Sequence, residues 1–164
     1  MPIPDAPAGT ATPSAVIVTL FHQVHDELRS LIRDCERAAL NFVPCPGANS
    51  IATIVTHLLG SEAETVQAVA GTPCTRDRDA EFMRGTQAAE QLHAQLDDAD
   101  RLLDEFAPAL TTARLQQAVG LPTLPDGELR PGLTWLVGNL GHAREHTGHA
   151  FLTKQLYDAN RTPA

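Results

Sequence analysis

GLTWLVGNLGHAREHTGHAFLTKQLYDANRT, residues 132–162, contains no proline and is flanked by Pro131 and Pro163. Proline costs about 3 kcal/mol inside a helix, because it lacks an amide donor and its ring clashes with the preceding turn. The other prolines of this 164-residue chain fall at 2–13, 44–46, 73, 108 and 122–125, leaving three further long blocks without one: 14–43, 47–72 and 74–107. Each block is long enough for a bundle helix, so the punctuation alone reads as four helices with proline-marked connections.

The apolar residues repeat with the same period. In the first block Val18, Phe21, His25, Leu28, Ile32 and Cys35 recur at steps of three and four, and the helix ends before Pro44 and Pro46. Asn49 or Ser50 caps the second helix, whose stripe is Ile51, Ile54, Val55, Leu58, Thr65, Val66 and Val69, with Gly71 and Pro73 as its stop. The third starts at Asp79 or its neighbours, carries Leu92, Leu96, Ala99, Leu103, Phe106 and Leu110, and bends or ends at Pro108. The fourth starts near Pro131 and runs through Leu133, Leu136, Val137, Leu140 and Phe151 to about Tyr157. Residues 108–131 show no period beyond one helical turn in TTARLQQAV, and a connection of this length reads as a functional loop or lid. No strand alternation and no repeat is visible. The expected fold is an all-α four-helix bundle over residues 14–160, with a long loop before the last helix. Residues 1–13, poor in large apolar side chains, read as a flexible N-terminal tail.

Composition excludes several function classes. Twelve Lys and Arg against 20 Asp and Glu give a net charge of −8, and no basic stripe runs along any helix, so no nucleic-acid partner is expected. No apolar run is long enough for a membrane span and the start lacks the pattern of a signal peptide, which reads as a cytoplasmic protein without a membrane partner. Cys35, Cys45 and Cys74 lack CxxC spacing, which argues against a disulfide framework or a cysteine zinc site.

Against this plain background, three of the seven histidines fall within residues 142–149. His142 and His146 are one helical turn apart, a spacing at which two imidazoles can reach one divalent metal. A third ligand must come from elsewhere, and His57, on the flank of the second helix's apolar stripe, is the candidate. Three imidazoles leave coordination positions open for substrate or water, as in a catalytic site. The bland alternative is a solvated histidine face, since these residues lie opposite the Leu133/Leu136/Leu140/Phe151 stripe. However, Trp135 and Gly138 share the histidine side, Ala143 and Ala150 border it, and Arg144 lies on the leucine side. Both faces of this helix therefore read as packed, one of them against a partner subunit in a homodimer. HAREH fits the H-x-x-E-H pattern of inverzincin peptidases, but only 18 residues follow His146, too few for their downstream carboxylate. Glu90-Gln-Leu-His93 fits half of a di-iron bundle motif whose second half is missing.

Other pocket candidates are weaker. His25 on the first helix is either a locally bonded core histidine or a pocket residue. Ser61, one turn after His57, shares its face, while Glu62 reads as an outer carboxylate or an ion-pair partner, and Glu145, about 100° round the helix from His146, reads as a surface salt-bridge residue more than as a general base. No catalytic residue is assigned.

The segments PGANSIATIVTHLLGSEAETVQAVAG (46–71) and LVGNLGHAREHTGHAFLTKQL (136–156) carry a His in an H-L-x-G-x-E context followed by H-x-x-x-H-x-G. Over about residues 14–158 the chain thereby resembles the DinB/YfiT-like superfamily. The resemblance implies a four-helix bundle holding a divalent metal, zinc or nickel, on His57, His142 and His146. It also implies a small-molecule substrate and a low-molecular-weight thiol cosubstrate, since some members are S-transferases or maleylpyruvate isomerases using mycothiol, bacillithiol or glutathione. The alternative it carries is a non-catalytic metal- or ligand-binding, stress-associated protein. Where the family often shows H-R-G-Q, this chain has His146-Thr147-Gly148-His149, so His149 would replace the glutamine as a hydrogen-bonding group or compete as a ligand, and the substrate class departs from the pattern more than the metal does.

Overall fold

A computed structural model of the chain describes residues 11–83, 85–124 and 127–161. The chain runs through α1 (Pro13–Arg33), α2 (Arg37–Leu40), α3 (Ile51–Ala70), α4 (Arg78–Met83), α5 (Ala89–Phe106), α6 (Thr112–Gln116) and α7 (Gly132–Arg161). The four long helices α1, α3, α5 and α7 form the bundle, and α3 packs most extensively against α7 and then α5. Their ends follow local chemistry. The Thr12 hydroxyl accepts the Ala15 amide at 3.2 Å with Pro13 as the first helical residue, and the Ser50 hydroxyl accepts the Thr53 amide at 3.2 Å. Gly71 closes α3 at φ 83°, a left-handed conformation that glycine adopts without a Cβ penalty.

The core is built by the stripes read from the sequence. Phe21, Leu28 and Ile32 of α1, Ile51, Val55, Leu58, Val66 and Val69 of α3, and Leu92, Leu96 and Leu103 of α5 are buried in one cluster.

Three expectations about where elements begin and end need correction. The first block does not form one helix to residue 43: α1 stops at Arg33 with the Asp34 amide bonded to Leu31 O, and a separate turn, α2, buries Ala39 and Leu40. The third bundle helix begins at Ala89 rather than near Asp79. Asp79 lies in the short helix α4, where Asp77 Oδ1 accepts the Ala80 amide at 2.9 Å, and Gly85 lies in the break before α5. The 108–131 connection holds α6, as its single helical turn suggested, and a minimal antiparallel ribbon of β1 (Ala118–Val119) and β2 (Arg130–Pro131), so Pro131 sits in the ribbon and α7 starts after it. Pro125 and Asp126 of this connection, and most of the proposed N-terminal tail, lie outside the described residues.

The orientation of α7 differs most from the sequence reading. Its inward face is Trp135, Leu136, Asn139, Ala143, Thr147, Ala150 and Thr153, whereas Leu133, Val137, Phe151, Leu152 and Leu156 are exposed. Of the stripe expected to pack inward only Leu136 is fully buried, with Leu140 half-buried. Small residues take its place because they let the two helix backbones approach, and this rotation turns His142 and His146 towards α3.

Gly132 marks the tightest approach. A Cβ there would lie 2.7 Å from both Arg114 O and Val69 Cγ1. Gly132→Ala is expected to destabilise the fold by about 1–3 kcal/mol through overpacking, read as a lower urea midpoint at unchanged slope. Among the described residues no helix is long and apolar enough to cross a membrane.

Candidate metal centre

α3 brings His57 and α7 brings His142 and His146 to one point between them. One donor nitrogen from each ring falls within 4.8 Å of the other two. The His142 and His146 Nε2 atoms are 2.9 Å apart, and the His57 ring centroid lies 5.4 and 5.3 Å from theirs. His57 is fixed from behind. Its Nδ1 is 3.0 Å from Glu81 Oε2, so the proton sits on Nδ1 and donates to the carboxylate, which leaves the Nε2 lone pair as donor. Glu81 in turn accepts from Arg76 Nε at 2.7 Å and Nη2 at 2.9 Å, a two-pronged grip that locks the carboxylate. Arg76 Nη1 reaches Glu64 Oε2 at 3.0 Å, and Glu64 also receives the Thr123 amide at 2.8 Å and hydroxyl at 2.7 Å. The chain of contacts thus runs from the histidine through α4 to the loop before α7.

The donor set fits a divalent cation. Nδ1 of His142 and of His146 is buried with no hydrogen-bond partner among the described residues. One Nε2–H joins the two rings when no ion is bound; with the proton of each ring moved to Nδ1, two Nε2 lone pairs would face one point together with that of His57. Burial holds all three imidazoles below their ordinary pKa. For His57 the Glu81 hydrogen bond opposes this and the Arg76 charge adds to it; His142 is also depressed by His57 and Arg76, and His146 by His142 and His149. The neutral ring is the metal-binding form.

A cleft of about 570 Å³ opens beside His57 and His142, lined among others by Ser61, Leu121, Arg78, Arg130, Trp135 and Asn139. Asn139 Nδ2 donates to Ser61 Oγ at 2.9 Å, while Asn139 Oδ1 is buried without a partner among the described residues. The Trp135 indole donates to Val119 O at 2.8 Å, and the Arg130 guanidinium lies 4.8 Å from its ring centroid. The loop before α7 therefore forms a wall of the cleft, pinned to α3 through Thr123.

The residues singled out from the sequence divide clearly. His57, His142 and His146 come together, and Ser61 and Trp135 line the adjoining cleft. His149 is exposed, its ring 5.6 Å from that of His146, and it lies outside the three-donor group. His25 is not in this cleft: it is buried in a separate cluster with Glu62, His22 and Asp100 on the α1/α5 side. Glu62 is the partner of His25 rather than of His57. Glu81 and Arg76 were not foreseen, because neither stands at a helical interval from a histidine and both lie in the charged run TRDRDAE.

The sequence profile of the DinB superfamily matches residues 20–150. The chain belongs to the DinB superfamily. Solved structures with the same fold include a conserved protein from Enterococcus faecalis (14% identity, TM-score 0.71, covering 90% of this chain and 98% of that one). A second is YfiT from Bacillus subtilis, described as a probable metal-dependent hydrolase with an unusual four-helix bundle topology (14% identity, TM-score 0.69, 92% and 91% coverage). A third is a DinB-like protein from Bacillus subtilis (16% identity, TM-score 0.65, 90% and 94% coverage). At these identities the likeness establishes the fold of this DinB-superfamily chain and not its chemistry. No curated protein matches it in sequence.

Proposed function

We propose that this DinB-superfamily protein is a metal-dependent enzyme acting on a small anionic molecule, with a low-molecular-weight thiol or water as the nucleophile. The observation that carries it is the group of three neutral imidazoles, one of them buttressed by Glu81, at the edge of a cleft. Zinc or nickel bound there would lower the pKa of a coordinated thiol or water and polarise an electrophile. The protein's own residues do the rest. Glu81 and Arg76 hold the His57 lone pair in place, so the site needs little reorganisation to accept the ion. Leu121 and the Trp135 ring form apolar wall, and the unpaired Asn139 Oδ1 is an acceptor for a substrate N–H or O–H.

Arginine gives the cleft its sign. Arg76 is committed to Glu81 and Glu64, and Arg130 is shared with Glu128 at 2.7 Å. Arg78 forms no ion pair among the described residues and lies 5.7 Å from the Phe82 ring centroid. A carboxylate or phosphate on the substrate would pair with it. Arg78→Ala is expected to raise KM about tenfold with kcat nearly unchanged, the pattern of lost uniform binding worth about 1.4 kcal/mol.

The function is tested by loading the purified protein with zinc or nickel and following consumption of mycothiol, bacillithiol or glutathione against a panel of anionic electrophiles and esters. Metal-dependent turnover with one thiol, or hydrolysis without any, supports the reading. Absence of turnover under every combination would favour a binding protein instead.

A further inference from the structure

We propose a second divalent-metal site, formed by His22 and His25 of α1 and Asp100 of α5, separate from the centre on α3 and α7. His22 Nδ1 and His25 Nδ1 both point at the same oxygen, Asp100 Oδ1, at 2.8 and 2.6 Å. The opposite ring nitrogens also face carboxylates: His22 Nε2 lies 3.1 Å from Asp104 Oδ1, and His25 Nε2 lies 3.0 Å from Glu62 Oε2. Four ring nitrogens thus meet four carboxylate contacts. A neutral imidazole carries one N–H and answers one carboxylate. Burial lowers the His25 pKa but the Glu62 and Asp100 contacts outweigh it and raise it, so without an ion a protonated His25 answers both of its own contacts, and a metal would displace the Nδ1 protons. Protons on both Nε2 atoms donate to Glu62 and Asp104. Two Nδ1 lone pairs and Asp100 Oδ1 then converge on one point, the two-histidine, one-carboxylate donor set that suits first-row divalent ions.

The surroundings are those of metal ligands. Metal-bound histidines usually donate their second N–H to a carboxylate, as His25 does to Glu62, and ligating carboxylates are themselves hydrogen-bonded. Asp100 Oδ2 accepts from Arg29 Nη2 at 2.5 Å, which leaves Oδ1 for the ion. Glu62 Oε1 is buried with no partner among the described residues, so this carboxylate depends on His25 for compensation. Arg29 pairs with Asp97, with Asp100 and, at 3.5 Å, with Asp26, while Glu62 and Asp104 face His25 and His22, so five carboxylates stand against one guanidinium and a divalent cation would offset part of that excess. Access is open as well, because the His22 side chain is 32% and the Asp104 side chain 71% exposed while that of His25 is fully buried. The ion would tie α1 to α5 and, through Glu62, to α3.

The test is equilibrium titration of the chelator-treated full chain with Zn²⁺ and with Co²⁺. The wild type is expected to take two equivalents, and His142→Ala/His146→Ala is expected to keep one. Adding His22→Gln or Asp100→Asn to that double variant should weaken the remaining equivalent at least about tenfold, with the helical circular dichroism signal retained. One equivalent in the wild type and none in the double variant, or a second equivalent indifferent to both His22→Gln and Asp100→Asn, would overturn the proposal. Failure of the first centre reads differently: His142→Ala/His146→Ala would then leave the stoichiometry unchanged.

Discussion

His146→Ala is expected to lose its metal from the α3/α7 centre and to reduce turnover at least about a hundredfold, since a bound metal supplies several kcal/mol of charge stabilisation and each 1.36 kcal/mol is tenfold in rate. The geometry explains why one ring should matter so much. Among the described residues three imidazoles converge there, and His142 and His146 meet through their Nε2 atoms, so removing one leaves a two-point site. Glu81→Gln is the milder companion. It keeps the volume behind His57 but replaces a carboxylate held by Arg76 with a neutral amide, which should weaken metal binding about 10–100-fold. Glu145→Gln, at an exposed position on the same helix, should leave affinity and rate at wild-type values. Competition against a chromophoric chelator, with turnover measured in parallel, reads all three, and a His146→Ala variant that binds as many equivalents as the wild type, and as tightly, would contradict the ligand assignment.

Chelation should have a comparably large effect on stability. A metal that binds only the folded chain stabilises it by about 4.1 kcal/mol when present at a thousandfold its Kd, and for a chain of this size each kcal/mol corresponds to about 2–4 °C. EDTA is therefore expected to lower Tm by about 8–16 °C, because the ion ties α3 to α7 across the most extensive helix contact of the bundle. The arginine network from Glu81 to Thr123 remains without metal, so the loss is a shift of the transition and not a loss of folding. An unchanged Tm in scanning calorimetry would mean that no metal bridges these helices.

The fold was legible because apolar period and proline spacing state the same four helices. Apolar period does not mark the inward face everywhere. On α7 the sequence shows a large apolar stripe and a small-residue face that both read as packed, and in the structure Ala143, Thr147 and Ala150 pack inward while Leu133 and Phe151 are exposed. Small residues carry little hydrophobic weight in a sequence, but they decide how closely two helices approach. The three histidines were visible because two of them share a helical interval and the third stands on the flank of a neighbouring stripe. Glu81 and Arg76 had no such signal. They reach His57 through the turn of α4, a tertiary contact that helical spacing does not encode. His25 was placed correctly on the apolar face of α1, but its partners Asp100 and Glu62 come from α5 and α3, so its surroundings emerged only once the helices were packed.

His57, His142 and His146 are expected to hold one metal ion between them. The most direct measurement is anomalous diffraction at the zinc or nickel edge from crystals of the metal-loaded protein. The expected result is a peak about 2.0–2.1 Å from one nitrogen of each of the three rings, with His57 Nδ1 still bonded to Glu81. Crystals from stoichiometrically loaded protein with no anomalous density among these rings, and with His142 and His146 still bonded to each other, would contradict it.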